Sequence, residues 1–175
     1  IMDIVRCAKS EGIRDIILLT NGYHLNDRLI EELAELEAKV SLTFYGMTNE
    51  TYLKFTRLPN AFDKVARNAE KMLEKGMDVR FNYALLNHTY DDVNKFIEFS
   101  KKSKGKYFGI SGLLPFGEAK NKMSDLNVSS EKCEKIENYA LFKRKLFSSN
   151  FPKVYSCKPM HLTILSNGEV SYCLI

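Results

Sequence analysis

Ile16-Ile17-Leu18-Leu19-Thr20-Asn21-Gly22 is the stretch that decides the fold. A continuous aliphatic run closed by small polar residues and a glycine has the pattern of a strand buried on both faces, as in parallel sheets. Upstream, Ile1 to Glu11 has helical spacing, with Ile4, Val5 and Ala8 on one face and Gly12 as its stop signal. The same helix–glycine–strand unit returns as Ala61 to Lys75, Gly76, Asp78 to Leu86. It returns again as Asp91 to Lys104, Gly105, Tyr107 to Leu114. In the first of these repeats Phe62, Val65, Ala69, Met72 and Leu73 recur at helical spacing, and Asn60 with Asp63 reads as the N-cap. A further helix over about 27–38, with Leu29, Ile30, Leu33 and Leu36 inward, leads to a strand at 39–46. Such strands alternating with helices of about a dozen residues predict an α/β fold with a parallel sheet and right-handed crossovers. The strands fall at about 14–20, 39–46, 77–86 and 106–114.

Beyond them, Gly117 to Val128 is polar and reads as a loop, followed by a long helix over 129–149. His161 to Leu165, Ser166-Asn167-Gly168 and Glu169 to Cys173 read as a β-hairpin, because Asn-Gly suits a type I′ turn. The expected organisation is a sheet domain over 1–120, a loop and linking helix over 121–150, and the start of a second module over 151–175. The chain opens within a helix and closes straight after a strand, which reads as a fragment of a longer protein.

Composition excludes several classes. Of 175 residues, 45% are hydrophobic and 27% charged, a globular balance rather than a disordered one. No apolar run reaches the ~18 residues a membrane span needs, so no membrane association is expected. The net charge of +4 is too weak to argue for nucleic acid. Cys7, Cys133, Cys157 and Cys173 are too sparse for a disulfide scaffold. Cys7 and Cys133 lie on expected helices and read as small buried hydrophobes.

Ligands of parallel α/β sheets bind outside the carboxyl ends of the strands. Those ends are Thr20-Asn21-Gly22, Thr43-Phe44-Tyr45-Gly46, the run from Asn82 to His88, and Leu114-Pro115-Phe116-Gly117. Small polar residues and glycines converge on one rim, with no carboxylate pair, Ser/His/Asp set or phosphate loop for hydrolysis. Each position alone also has a plain reading, as a turn or as β-propensity. His24 and His88 read as loop residues. Cys157 and Cys173 bracket the hairpin, and thiolates bind zinc or iron–sulfur clusters, but two cannot complete such a site.

Taken in order, these strand ends resemble the radical S-adenosylmethionine (SAM) enzymes that carry a SPASM-type C-terminal extension. Thr20-Asn21-Gly22 is similar to the family's third-strand element, and Ser41 to Gly46 to its fourth-strand Ser-x-Asp-Gly. Thr48 to Tyr52, Phe62 to Val65 and Leu73-x-x-Gly76 follow the family's next helices. Leu114 to Ala119 resembles its Pro-x-Gly-x-Ala, and Cys157, Gly168 and Cys173 match the opening Cys-x(9–15)-Gly-x4-Cys of a SPASM module. Thr43 stands where Ser is common and Tyr45 where Asp is common. The family's Cys-x3-Cys-x2-Cys and Gly-Gly-Glu elements do not occur in these residues.

The resemblance implies part of a (β/α)6 barrel, with about four strands present plus the C-terminal hairpin. It implies a parent oxidoreductase, cytoplasmic, with SAM and [4Fe–4S] clusters as cofactors. The parent would cleave SAM to a 5′-deoxyadenosyl radical that takes hydrogen from a substrate, a peptide or protein side chain. Asn21 and Thr43 would contact SAM, Asn82 its ribose, and the backbone at Leu114 and Pro115 its adenine. Cys157 and Cys173 would ligate an auxiliary cluster. The fragment alone would be inactive, bind no cofactor, and self-associate through the exposed edge of its first strand. Two other readings are a non-catalytic α/β domain that binds a peptide or partner by strand addition and a small zinc module on Cys157 and Cys173.

Overall fold

A computed structural model describes residues 1–103, 107–112, 121, 123–136, 163–164 and 170–171. The chain divides into two compact units, Ile1–Phe142 and Lys143–Ile175. In the first, α1 (Met2–Ser10) precedes β1 (Ile17–Thr20), α2 (Asp27–Glu35) and β2 (Lys39–Phe44). Then come α3 (Asn49–Thr56), α4 (Ala61–Glu74) and β3 (Val79–Leu85). A 3₁₀ turn (Asn87–Asp92), α5 (Val93–Lys102), β4 (Tyr107–Gly112), α6 (Met123–Leu126) and α7 (Ser130–Glu134) complete it. In the second unit β5 (Thr163–Ile164) pairs antiparallel with β6 (Val170–Ser171), within the two arms expected for a hairpin. Its Asn167-Gly168 turn lies outside the described residues.

The four long strands pair in parallel in the order β1-β2-β3-β4. Right-handed crossovers between sequential parallel neighbours put the helices that join the strands on one face, so the two faces differ in chemistry. One face carries Val40, Leu42, Phe44, Val79, Phe81 and Tyr83, all fully buried with Ile30, Leu33, Val65, Ala69, Met72 and Phe96 of the helices. Phe44 is central, with ring centroids of Phe81, Phe96 and Phe99 at 5.7, 5.8 and 5.4 Å. Such tilted and edge-on contacts suit aromatic quadrupoles.

Three expectations are corrected. β1 is not buried on both faces: Leu19 is 72% exposed, because the helices cover only one face and, among the described residues, nothing pairs with the strand's outer edge. Asn60 occupies the N-cap position of α4 in a left-handed conformation and makes no side-chain cap bond. The cap comes instead from Asn49, whose Oδ1 accepts from the Asp63 N–H at 3.3 Å while its Nδ2 donates to Asp63 at 2.7 Å. The polar stretch 117–128 contains a helical turn, α6, where a plain loop was expected. The helix expected over 129–149 starts as α7, capped by Ser129, and its remainder past 136 lies outside the described residues.

Gly22 and Gly76 separate two costs of a side chain. Both have positive φ, +73° and +72°, which an L-residue adopts only with strain. A Cβ at Gly76 meets open space, whereas one at Gly22 runs into Leu42. Gly76→Ala should therefore cost about 1 kcal/mol. Gly22→Ala should cost clearly more, and urea unfolding that ranks them in the other order refutes this packing of β1 on β2.

Candidate functional site

Along β2, β3 and β4 the face of the sheet turned away from the crossover helices is polar. Alternation places Ser41 and Thr43 of β2, Arg80 and Asn82 of β3, and Gly109 and Ser111 of β4 on it, all but the exposed Ser111 half-buried. Thr43 stands opposite Asn82 in the ladder, and Asn82 opposite Gly109. Asn82 Nδ2 lies 2.6 Å from Ser41 Oγ, a bond between strands. At the amino end of the same sheet Lys39 pairs with Asp15 at 2.7 Å, and this contact, reinforced by Arg80, holds the Asp15 carboxyl below its usual range.

Asn21 leaves β1 one step beyond the Thr20–Leu42 pair, level with Thr43. Its Oδ1 accepts the Tyr23 N–H at 3.1 Å, forming an Asx turn. That fixes the amide: oxygen faces the backbone, and the exposed Nδ2 remains a hydrogen-bond donor. Thr20 Oγ1 accepts the Gly22 N–H at 3.1 Å. From behind, the buried Asn68 of α4 donates to the carbonyls of Gly22 and Leu25, each at 3.0 Å.

The turn after β2 is held by Asp92, whose Oδ2 accepts from the Met47 N–H at 3.0 Å and from Thr51 Oγ1 at 2.7 Å. Its Oδ1 meets Lys95 Nζ at 2.8 Å. Burial alone would raise the Asp92 carboxyl, but the bonds from Lys95, Met47 and Thr51 outweigh it and hold the group below its usual range. Thr48 and Thr51 close a capping box at the start of α3. Thr89 stabilises the turn after β3: its Oγ1 accepts the Leu86 N–H at 2.9 Å and donates to the Ala84 carbonyl at 3.0 Å, while Tyr83 Oη donates to the Thr89 carbonyl at 2.7 Å.

Three rings cross between the β2 and β3 ends. Tyr45 stacks on Phe55 at 4.8 Å and 21°, and Phe55 on His88 at 5.8 Å and 24°. Burial pushes the Tyr45 phenol up, so it stays protonated at neutral pH. Burial and the nearby Lys54 ammonium push His88 down, so its imidazole is neutral there. Its Nε2 is buried without a hydrogen-bond partner among the described residues.

The structure thus brings Asn21, Thr43 and Asn82 level with one another: Asn21 just past β1, Thr43 near the end of β2 and Asn82 midway along β3. Leu114, Pro115, Cys157 and Cys173 lie outside the described residues. Cys133 is buried as expected, but Cys7 is exposed, because it falls on the solvent side of α1, away from Met2 and Val5. Among the described residues no three Cys, His, Asp or Glu side chains cluster to hold a metal, and no helix is long and apolar enough to cross a membrane. Sequence reading missed Asn68, Asp92 and the ring stack. No local signal separates the buried Asp92 from its exposed neighbour Asp91.

A parallel sheet wound in sequential order, with helices on one face and polar strand ends on the other, is the framework of a partial β/α barrel. A family model of the radical SAM superfamily matches residues 1–100, and the chain belongs to that superfamily. A probable GTP 3′,8-cyclase of Saccharolobus islandicus is 28% identical over 86% of this chain and 50% of its own length. An AdoMet-dependent heme synthase of Methanosarcina barkeri is 24% identical over 67% of the chain and 34% of its own length. The chain therefore spans about half the length of the first of these curated relatives. SuiB of Streptococcus suis, in a crystal structure bound to S-adenosylmethionine, superposes with a TM-score of 0.72 at 14% identity. That match covers 99% of this chain and 45% of SuiB, and it shows a shared fold.

Asp92 gives a pH prediction. Its folded pKa is depressed, so its contribution to stability is present above the unfolded value of about 3.9 and is lost as pH falls through the folded value. The urea midpoint should drop on acidification below about pH 4. Asp92→Asn should be less stable at neutral pH and show a shallower drop, and identical pH slopes would show that the carboxylate is not paired as described.

Proposed function

We propose that the whole protein is a radical SAM oxidoreductase with a SPASM-type extension, and that this chain supplies the later part of its barrel and the opening of that extension. The observation that carries the reading is the alignment of Asn21, Thr43 and Asn82 at one level across three adjacent strands of a superfamily sheet. The residues suit the amino-acid and ribose portions of SAM. The free Nδ2 of Asn21 is a donor suited to a carboxylate, and Thr43 offers a hydroxyl. Asn82, anchored to Ser41, presents its remaining amide valence toward a ribose hydroxyl. The backbone at Leu114 and Pro115 would face the adenine, and Cys157 with Cys173 would ligate an auxiliary cluster. The superfamily's Cys-x3-Cys-x2-Cys element does not occur in these 175 residues, and the reducing [4Fe–4S] centre is assigned to another part of the whole protein. When bound there, it supplies the electron that opens SAM. This chain's part is to hold SAM by its polar ends and to keep water off the reacting carbon.

A peptide or protein side chain is the substrate class we favour, since SuiB is also seen bound to a precursor peptide. Another fold neighbour, anSMEcpe, is seen with AdoMet and the Kp18Cys peptide at a TM-score of 0.51. The protein is placed in the cytoplasm, where an oxygen-sensitive cluster is protected.

The full reading frame, expressed anaerobically and reconstituted with iron and sulfide, should carry about four irons or more per chain and release 5′-deoxyadenosine from SAM under reductant. Iron-free protein with no SAM cleavage would leave the binding-domain reading. Asn21→Ala should weaken SAM binding by about tenfold or more, the loss of one hydrogen bond to a charged group. On its own, the 175-residue chain should self-associate through the outer edge of β1, with its exposed Leu19. A clean monomer by light scattering across the micromolar range refutes that.

A further inference from the structure

We propose that Asp92 is a positioning residue for the rim, acting on the ligand site through the Met47 amide and the Thr51 hydroxyl. The inference rests on the reading of that rim as a SAM site and deepens it. Asp92 stands directly before α5, where an aspartate ordinarily caps the helix through its own carboxylate. It makes no such bond. Its side chain, 6% exposed, is turned instead to the turn leaving β2 and to α3. Enclosing a carboxylate is costly unless its oxygens are satisfied. Here the bonds come from three separate elements: Met47 N–H at 3.0 Å, Thr51 Oγ1 at 2.7 Å and Lys95 Nζ at 2.8 Å.

The two turns joined by this carboxylate are the ones that matter at the rim. One follows Thr43 and carries Tyr45; the other follows Asn82 and carries His88. The stack of Tyr45, Phe55 and His88 crosses the same gap. Thr51 cannot drift freely, since it fills the space a side chain at Gly46 would need. Asp92 therefore sets the spacing of two strand ends while touching neither the open face nor anything bound on it. Small displacements of positioning groups are expensive for ligand recognition.

The test uses the full-length, reconstituted protein, with equilibrium dialysis of SAM and amide hydrogen exchange at Met47 as readouts. Asp92→Asn and the shape-conserving Thr51→Val should each speed Met47 exchange and raise the Kd for SAM about tenfold, with iron content unchanged. Thr51→Ser, which keeps the hydroxyl, should behave as wild type. Leu33→Ala, which opens the core at the C-terminal end of α2 beside the amino end of the sheet, should lower Tm but leave the Kd alone. Should Asp92→Asn fail to fold, the Thr51 pair decides. Unchanged SAM affinity despite faster Met47 exchange overturns the proposal, as does a Thr51→Ser that matches Thr51→Val. A Leu33→Ala that loses affinity equally also overturns it, since the effect would then be global. Wild-type protein that binds no SAM sinks the proposed function, and this inference with it.

Discussion

The rim depends on a single constraint: backbone groups of buried turns must find hydrogen-bond partners. Where strands of a parallel sheet end, the ladder stops and its carbonyls and amides lose their neighbours. In this protein the helix layer supplies replacements from the side. Asn68 answers the Gly22 and Leu25 carbonyls after β1, Asp92 the Met47 amide after β2, and Thr89 the Leu86 amide and Ala84 carbonyl at the end of β3. The buried polar residues of the described chain are Asn68, Thr89, Asp92 and Ser100, and the first three serve strand ends. Their cost of burial is offset by the strand-end turns they hold in place.

The same division of labour explains the two faces of the sheet. Aliphatic and aromatic residues alternate with polar ones along β2 and β3, and the crossovers send their helices to the apolar side. The polar side stays uncovered by these helices, so Ser41, Thr43 and Asn82 are shaped by ladder register rather than by packing. Packing is concentrated on the helix side and polar groups on the other. Tyr45 and His88 stand at the boundary, partly enclosed and both electrically neutral at ordinary pH.

Much of this was legible in the sequence. Helical spacing in Phe62 to Leu73, the glycine stops and the aliphatic run at Ile16 gave the order of elements, because helix periodicity and parallel-strand composition are local properties. The rule that ligands meet strand ends pointed to the stretches holding Asn21 and Thr43, and the family resemblance added Asn82, which stands midway along β3 but level with Thr43. What stayed hidden is long-range. The cap of α4 comes from Asn49, fourteen residues away, so Asn60 looked like the natural candidate. The partnership of Asp92 with Met47 spans forty-five residues, and a run such as Thr89-Tyr90-Asp91-Asp92 does not announce which carboxylate turns inward. The exposure of Leu19 was misjudged for a similar reason, since an aliphatic run reports what a strand is made of and not which of its sides another element covers.

The register of the sheet has a geometric consequence for whatever it binds. Asn21, Thr43 and Asn82 stand on consecutive strands at nearly the same height. Neighbouring strands lie about 4.8 Å apart, so the three side chains sample a span of roughly 10 Å perpendicular to the strand direction. A molecule that engages all three must lie crosswise over the sheet like a bar across parallel rails. Its two ends are then measured by strand spacing, a length that no side-chain substitution can change.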